Sequence, residues 1–169
     1  MLLTFTWVYF GERQTVLNIE TTKKAQLDDI CRLVRDSIRR LYRADHKNDP
    51  SLLSNWPAER LSQKLALLMF AADSQGFVSM EEARIAGIAH ITKAGQLTLC
   101  YVHPEQTAEG VGRLLLSEVE RQAVDWDLPQ LSRVSTQTVR KFYLAHGYVQ
   151  YAEPCLYFGM PEYPMLKPL

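Results

Sequence analysis

The segment Tyr101-Val102-His103-Pro104-Glu105-Gln106-Thr107-Ala108-Glu109-Gly110-Val111-Gly112-Arg113 leaves this chain the least freedom. A β-rich run ends there, a loop turns at Pro104, and two glycines open a stretch of helical period. In that stretch Val111, Leu114, Leu115, Val119, Ala123 and Trp126 share one apolar face, which predicts a helix from near Gly110. Glycines at a helix start let the backbone approach a ligand closely, and the unbonded N–H groups of the first turn carry the positive end of the helix dipole. Such a terminus favours an anion by about 0.3 to 2 kcal/mol, and its shape suits a pyrophosphate. A Gly-x-Gly pair alone also fits a purely structural turn.

The flanking sequence sets this segment in a mixed α/β order. Val16 to Glu20 reads as a strand, and Thr22 as the N-cap of a helix whose apolar side is Leu27, Ile30, Cys31, Val34, Ile38 and Leu41. Asp49-Pro50 and Ser54-Asn55-Trp56-Pro57 punctuate an irregular region. Pro57 is expected to open a second helix running to about Ala71. Phe77 to Met80, Arg84 to Thr92 and Gln96 to Val102 read as an antiparallel meander. After the glycine helix come a strand over Leu131 to Ser135, a helix over Gln137 to Ala145, a strand over Tyr148 to Ala152, and a last β segment within Leu156 to Lys167. Leu2 to Phe10 is unassigned or an additional edge strand. With 169 residues, no repeat and no long linker, one domain over 1–169 around one sheet is expected.

Charge narrows the partners. Lys plus Arg and Asp plus Glu number 19 each, so no global field draws the chain to nucleic acid or an acidic membrane. The apolar start lacks a basic n-region and breaks at Gly11-Glu12-Arg13, and a cytoplasmic protein is expected. Cys31, Cys100 and Cys155 fit neither a disulfide framework nor a zinc site and are read as reduced core residues. No His, Cys and carboxylate spacing suggests a metal. Arg32, Arg35, Arg39 and Arg43 form a stripe on the first long helix, with Asp28 and Asp36 within pairing distance. The stripe is a salt-bridged solvated face or a site for an anionic acceptor, RNA included.

A second motif lies downstream, Thr136-Gln137-Thr138-Val139-Arg140-Lys141-Phe142-Tyr143-Leu144-Ala145-His146-Gly147-Tyr148. The two segments resemble the acetyl-CoA-binding motif and the Phe-Tyr-x-x-x-Gly-Phe signature of the GNAT superfamily of N-acetyltransferases. The order of elements from about Val16 onward matches, as does the closing run Tyr163 to Leu169. Three departures fall in the loop: Thr107 stands for the usual Gln or Arg, Ala108 for a common Gly, and Glu109 for a common Arg or Lys. Glu109 is expected to face solvent while backbone N–H groups bind the anion.

The resemblance implies a central, mostly antiparallel sheet flanked by about four helices. It further implies transfer of an acetyl group from acetyl-CoA to a primary amine, on a small molecule or peptide, by direct attack in a ternary complex. Tyr101 and Val102 would meet the pantetheine through their backbone, and Thr107, Ala108, Glu109, Gly110, Val111, Gly112 and Arg113 would hold the pyrophosphate. Tyr143 would protonate the leaving thiolate; packing beside Phe142 is the alternative. His90, Glu81, Glu82, Asp45 and His46 are the candidate bases, and Trp56, Tyr42 and His46 candidate pocket residues. His103 is read as shaping the loop. A homodimer is a further family implication. The rival functions are a non-catalytic acyl-CoA-binding module and an acetyltransferase acting on charged tRNA.

Overall fold

The computed structural model describes residues 5–7, 16–55, 61–107 and 110–169. Strands β1 (Phe5–Trp7) and β2 (Val16–Thr21) lead into helix α1 (Leu27–Leu41). Short helices α2 (Arg43–His46) and α3 (Pro50–Asn55) follow, then α4 (Leu61–Met69). Strands β3 (Ser74–Glu81), β4 (Arg84–Thr92) and β5 (Leu97–Val102) make the meander. Helix α5 (Val111–Asp125), strand β6 (Gln130–Thr136), helix α6 (Gln137–Ala145) and strands β7 (Val149–Gln150), β8 (Cys155–Tyr157) and β9 (Met160–Pro168) complete the order.

The region read as irregular therefore holds α2 and α3. The expected helix start at Pro57 lies outside the described residues, as does Trp56. The edge-strand alternative for the first ten residues matches β1, which pairs with β2.

The strands form two sheets where one was expected: β1-β2-β3-β4-β5, all antiparallel, and β6-β9-β7 with β8 added to β9. Among the described residues, the backbone pairing between them is one isolated parallel bridge, Gln96 to Ser132. Past that bridge β5 pairs only with β4, so its other edge offers unpaired backbone groups.

Helices cover both faces of the first sheet, which is why β4 reads as a nearly continuous apolar run. Ile88 joins Ile30, Val34 and Ile38 of α1 in one core cluster. Ala89 and Ile91 join Val111, Leu115, Leu116 and Val119 of α5 in the other. Each fully buried Leu or Ile contributes roughly 1.5–3 kcal/mol. Acidic Asp28 and Asp29 in the first turn of α1, with Arg39 and Arg40 in the last, complement its dipole.

The α5 helix lies close on β4 at Gly87. A Cβ there would sit 2.7 Å from Leu115 Cδ1 and 2.8 Å from Val111 Cγ1. Gly87→Ala is expected to lower stability by about 1–3 kcal/mol, read as a lower denaturation midpoint, because both neighbours are buried side chains with nowhere to go.

Candidate active site

Where β5 and β6 part, a cavity of about 370 Å³ opens around the free edge of β5. Cys100 and Val102 line it from β5, Ser37, Leu41 and Tyr42 from α1 and its end, and Thr138, Val139, Phe142 and Tyr143 from α6. Thr107, Gly110, Gly112 and Arg113 close its mouth at the start of α5.

Seven of the sequence-predicted residues meet here: Tyr42, Val102, Thr107, Gly110, Gly112, Arg113 and Tyr143. Gly110 sits at φ 75°, a left-handed conformation that other residues adopt only with strain, and so turns the chain into α5. Arg113, exposed in the first turn, adds a cation at the mouth.

Two predicted residues, expected to act through their backbone, turn their side chains away from the cavity. Val111 is 1% exposed and packs into the α5 core, so only its backbone faces the turn. The Tyr101 side chain points to the opposite face of β5 from Cys100 and Val102, where its ring lies 5.8 Å from that of Tyr42. Its backbone remains on the free edge. Ala108 and Glu109 lie outside the described residues.

Tyr143 is 1% exposed and shares a side-chain hydrogen bond with Cys100. Burial pushes its phenol well above the ordinary value of 10, and the charge of Arg133 pulls the other way. The phenol therefore keeps its proton throughout the neutral range. It also packs edge-on against Phe142, with ring centroids 5.2 Å apart, so the packing alternative and the acid role share one geometry. Tyr42 is likewise held neutral, its phenol raised chiefly by burial.

The candidate bases do not reach the cavity wall. His90 is fully buried, its Nδ1 2.6 Å from Thr98 Oγ1, which in turn donates to the His90 carbonyl. It holds the register shift at which β5 gains one residue against β4. His46 accepts from the Asn48 N–H at Nδ1, and its Nε2 meets the Ile38 carbonyl, so both ring nitrogens hold backbone. Glu81 accepts from the Gln106 side chain in a separate groove, and Glu82 is an exposed turn residue. Asp45 accepts at Oδ1 from the Thr138 N–H, 3.3 Å away, at the start of α6. His103 accepts from the Glu105 N–H and caps the turn Pro104–Gln106, as its loop-shaping role requires.

Burial pulls the His90 imidazole from an ordinary 6.5 down to about 4. Between those values the unfolded chain takes up the proton and the folded chain does not. Stability is thus complete above about pH 6.5 and falls as pH drops toward about 4. His90→Gln is expected to flatten this acid loss, checked by denaturant midpoints at about pH 7 and about pH 5.

Of the arginine stripe, Arg32 has a carboxylate neighbour, and Arg40, one residue beyond Arg39 and outside the stripe, has another. Arg32 and Arg40 line a second groove of about 500 Å³ together with Asp29, Asp36, Glu81 and Glu105. Arg32 pairs with Asp29 at 3.4 Å and Arg40 with Glu105 at 3.6 Å. Of the cysteines, Cys31 and Cys100 are buried, but Cys155 is exposed, since β8 is a short hairpin arm with only one neighbour, β9. Among the described residues there is no cluster of metal-ligating side chains, and no helix is long and apolar enough to cross a membrane.

The family model of the acetyltransferase (GNAT) domain matches residues 44–169, which include the whole glycine turn and α6. The chain belongs to this family. It is a GNAT acyltransferase, and its fold is that of solved structures from the family. A GCN5-related N-acetyltransferase from Rhodopseudomonas palustris is similar in fold at 17% identity, with 100% of this chain and 99% of that chain covered and a TM-score of 0.79. The PaiA N-acetyltransferase from Thermoplasma acidophilum, solved in complex with coenzyme A, aligns at 15% identity over 90% of this chain and 99% of its own, with a TM-score of 0.69. The ribosomal-protein-S18-alanine N-acetyltransferase of Escherichia coli aligns at 15% identity over 90% and 93%, with a TM-score of 0.66. No curated protein sequence matches the chain.

Sequence reasoning missed Cys100, Ser37, Leu41, Thr138 and Val139. A period-two step back from Val102 reaches Cys100, and the four-residue pairs Thr138–Phe142 and Val139–Tyr143 put both partners on one side of α6. It also missed Arg133, a buried charge beside Tyr143.

Proposed function

We propose that this GNAT protein, as one domain over 1–169, transfers an acetyl group from acetyl-CoA to a primary amine by direct attack in a ternary complex. The observation that carries this reading is one cavity joining the glycine turn of α5, the unpaired edge of β5 and the phenol of Tyr143.

The groups present fit a pyrophosphate and a pantetheine arm. N–H groups of the first turn of α5 face the mouth, with Arg113 beside them, and suit a diphosphate. The free backbone of β5 around Tyr101 and Val102 suits an amide-bearing chain that adds like a partial strand. Tyr143 then holds a proton at its oxygen for the departing sulfur, a contribution of about 10²- to 10⁴-fold in rate. On the α1 side, Ser37, Leu41 and Tyr42 border the room left for the acceptor.

A small-molecule or peptide amine is the expected acceptor. A screen of both, following thiol release with Tyr143→Phe as the control, tests the reading. Turnover that collapses in the variant supports it. Acetyl-CoA binding without turnover on any amine would favour the non-catalytic module. The neutral net charge of the chain disfavours charged tRNA, so RNA affinity is expected to be weak. We further propose a homodimer and a cytoplasmic location, checked by sedimentation and by cell fractionation.

A further inference from the structure

Arg133, 8% exposed on β6, is a buried cation with no ion-pair partner among the described residues, although its charge reaches the Glu162 carboxyl on β9. Its Nη1 donates to the Leu97 carbonyl at 3.1 Å, spanning the gap between the two sheets, and its Nε has no hydrogen-bond partner. The guanidinium carbon lies 4.9 Å from the centre of the Tyr143 ring. A buried unpaired charge is costly, and a carbonyl and a ring face offset only part of that cost. What the site lacks is a negative charge that forms only during the reaction.

We propose that Arg133 is a positioning residue for the transfer step, the counter-charge for the phenolate that Tyr143 becomes on giving its proton to the departing sulfur. This deepens the function proposed above and rests on Tyr143 as the acid. As the carbon–sulfur bond breaks, its electron pair goes to sulfur. The Tyr143 O–H proton follows, leaving the thiol and a phenolate, and the phenolate regains a proton from solvent. Arg133 never touches the substrate; it acts through the Tyr143 ring.

The other groups facing this pair cannot supply the charge. Tyr42 at the end of α1 and Tyr101 and Cys100 on β5 are neutral weak acids that add no cation. Tyr148, with its ring 5.2 Å from that of Tyr143, is another phenol raised by burial, and Glu120 of α5 acts on it with negative sign. Glu162 on β9 is half-buried, its carboxyl raised by burial and lowered by Arg133. Arg133 is therefore the cation set against Tyr143.

Coenzyme A itself is the probe, since its thiol shares the proton with Tyr143 and no acceptor is needed. Thiolate absorbance of the bound coenzyme is titrated against the desulfo-coenzyme A complex, in the wild type, R133Q, R133M and R133K. Removing the charge should lower the acid dissociation constant of the bound thiol by at least about tenfold, and R133K should keep most of it. In the Tyr143→Phe background, R133Q should change it little, because the group through which Arg133 acts is gone. R133Q keeps a donor for the Leu97 carbonyl and serves if R133M does not fold. An unchanged constant in R133Q, or an equal loss with and without Tyr143, would overturn the proposal while leaving the acetyltransferase reading intact. Failure of the wild type to bind coenzyme A would instead remove both.

Discussion

Tyr143→Phe is expected to lower kcat by about 10²- to 10⁴-fold while changing acetyl-CoA affinity little. The substitution removes one oxygen from a side chain that is 1% exposed and leaves its ring among Phe142, Tyr148 and Arg133. Packing is thus conserved, and only the proton donor and its bond to Cys100 are lost. A loss confined to kcat with KM unchanged marks an interaction made in the transition state. A variant that turns over like the wild type would assign Tyr143 to packing alone, the alternative that its contact with Phe142 allows.

Gly112→Trp is expected to weaken acetyl-CoA binding by roughly 100-fold or more, equivalent to about 2.7 kcal/mol. A Cβ on Gly112 falls 3.4 Å from Phe142 Cζ and 3.5 Å from Val102 Cγ2, both walls of the cavity. That spacing tolerates a methyl group, so Gly112→Ala should bind nearly as well as the wild type. An indole has no room except the cavity itself. Gly110 behaves differently: its Cβ would meet open space, but at φ 75° a β-branched residue is strained, so Gly110→Val acts through the shape of the turn. Calorimetry on these variants separates the two causes, because only Gly110→Val should also lower the melting temperature appreciably.

The elements legible in the sequence were those with long, unbroken period. The α6 bounds Gln137–Ala145 and the β4 bounds Arg84–Thr92 agree with the expected ones, since periodic apolar positions and flanking turn residues mark them. Helices α2 and α3, of four and six residues, are too short to show a period, and contacts such as Asp45 with the start of α6 hold α2 in place. The division into two sheets was invisible because strand spacing says nothing about where two neighbours stop pairing.

The same limits apply to the site. The glycine turn and Tyr143 stood out because motif spacing encodes them. Arg133 did not, because a charged residue in a short strand reads as solvent-facing. Its neighbours Leu131 and Ser135, two residues away on either side, are also buried, which fixes its side of β6. His90 was considered for its chemistry, yet its bonds to Thr98 show a histidine that holds backbone register.

The central claim is that the cavity beside α5 receives an acyl-CoA, and titrating the purified protein with acetyl-CoA by calorimetry tests it most directly. The account predicts saturable one-site binding in the micromolar range, reduced in Gly112→Trp and retained in Tyr143→Phe. No detectable heat with acetyl-CoA or any other acyl-CoA would contradict it, leaving a GNAT fold whose loop at Thr107-Ala108-Glu109 has lost its ligand.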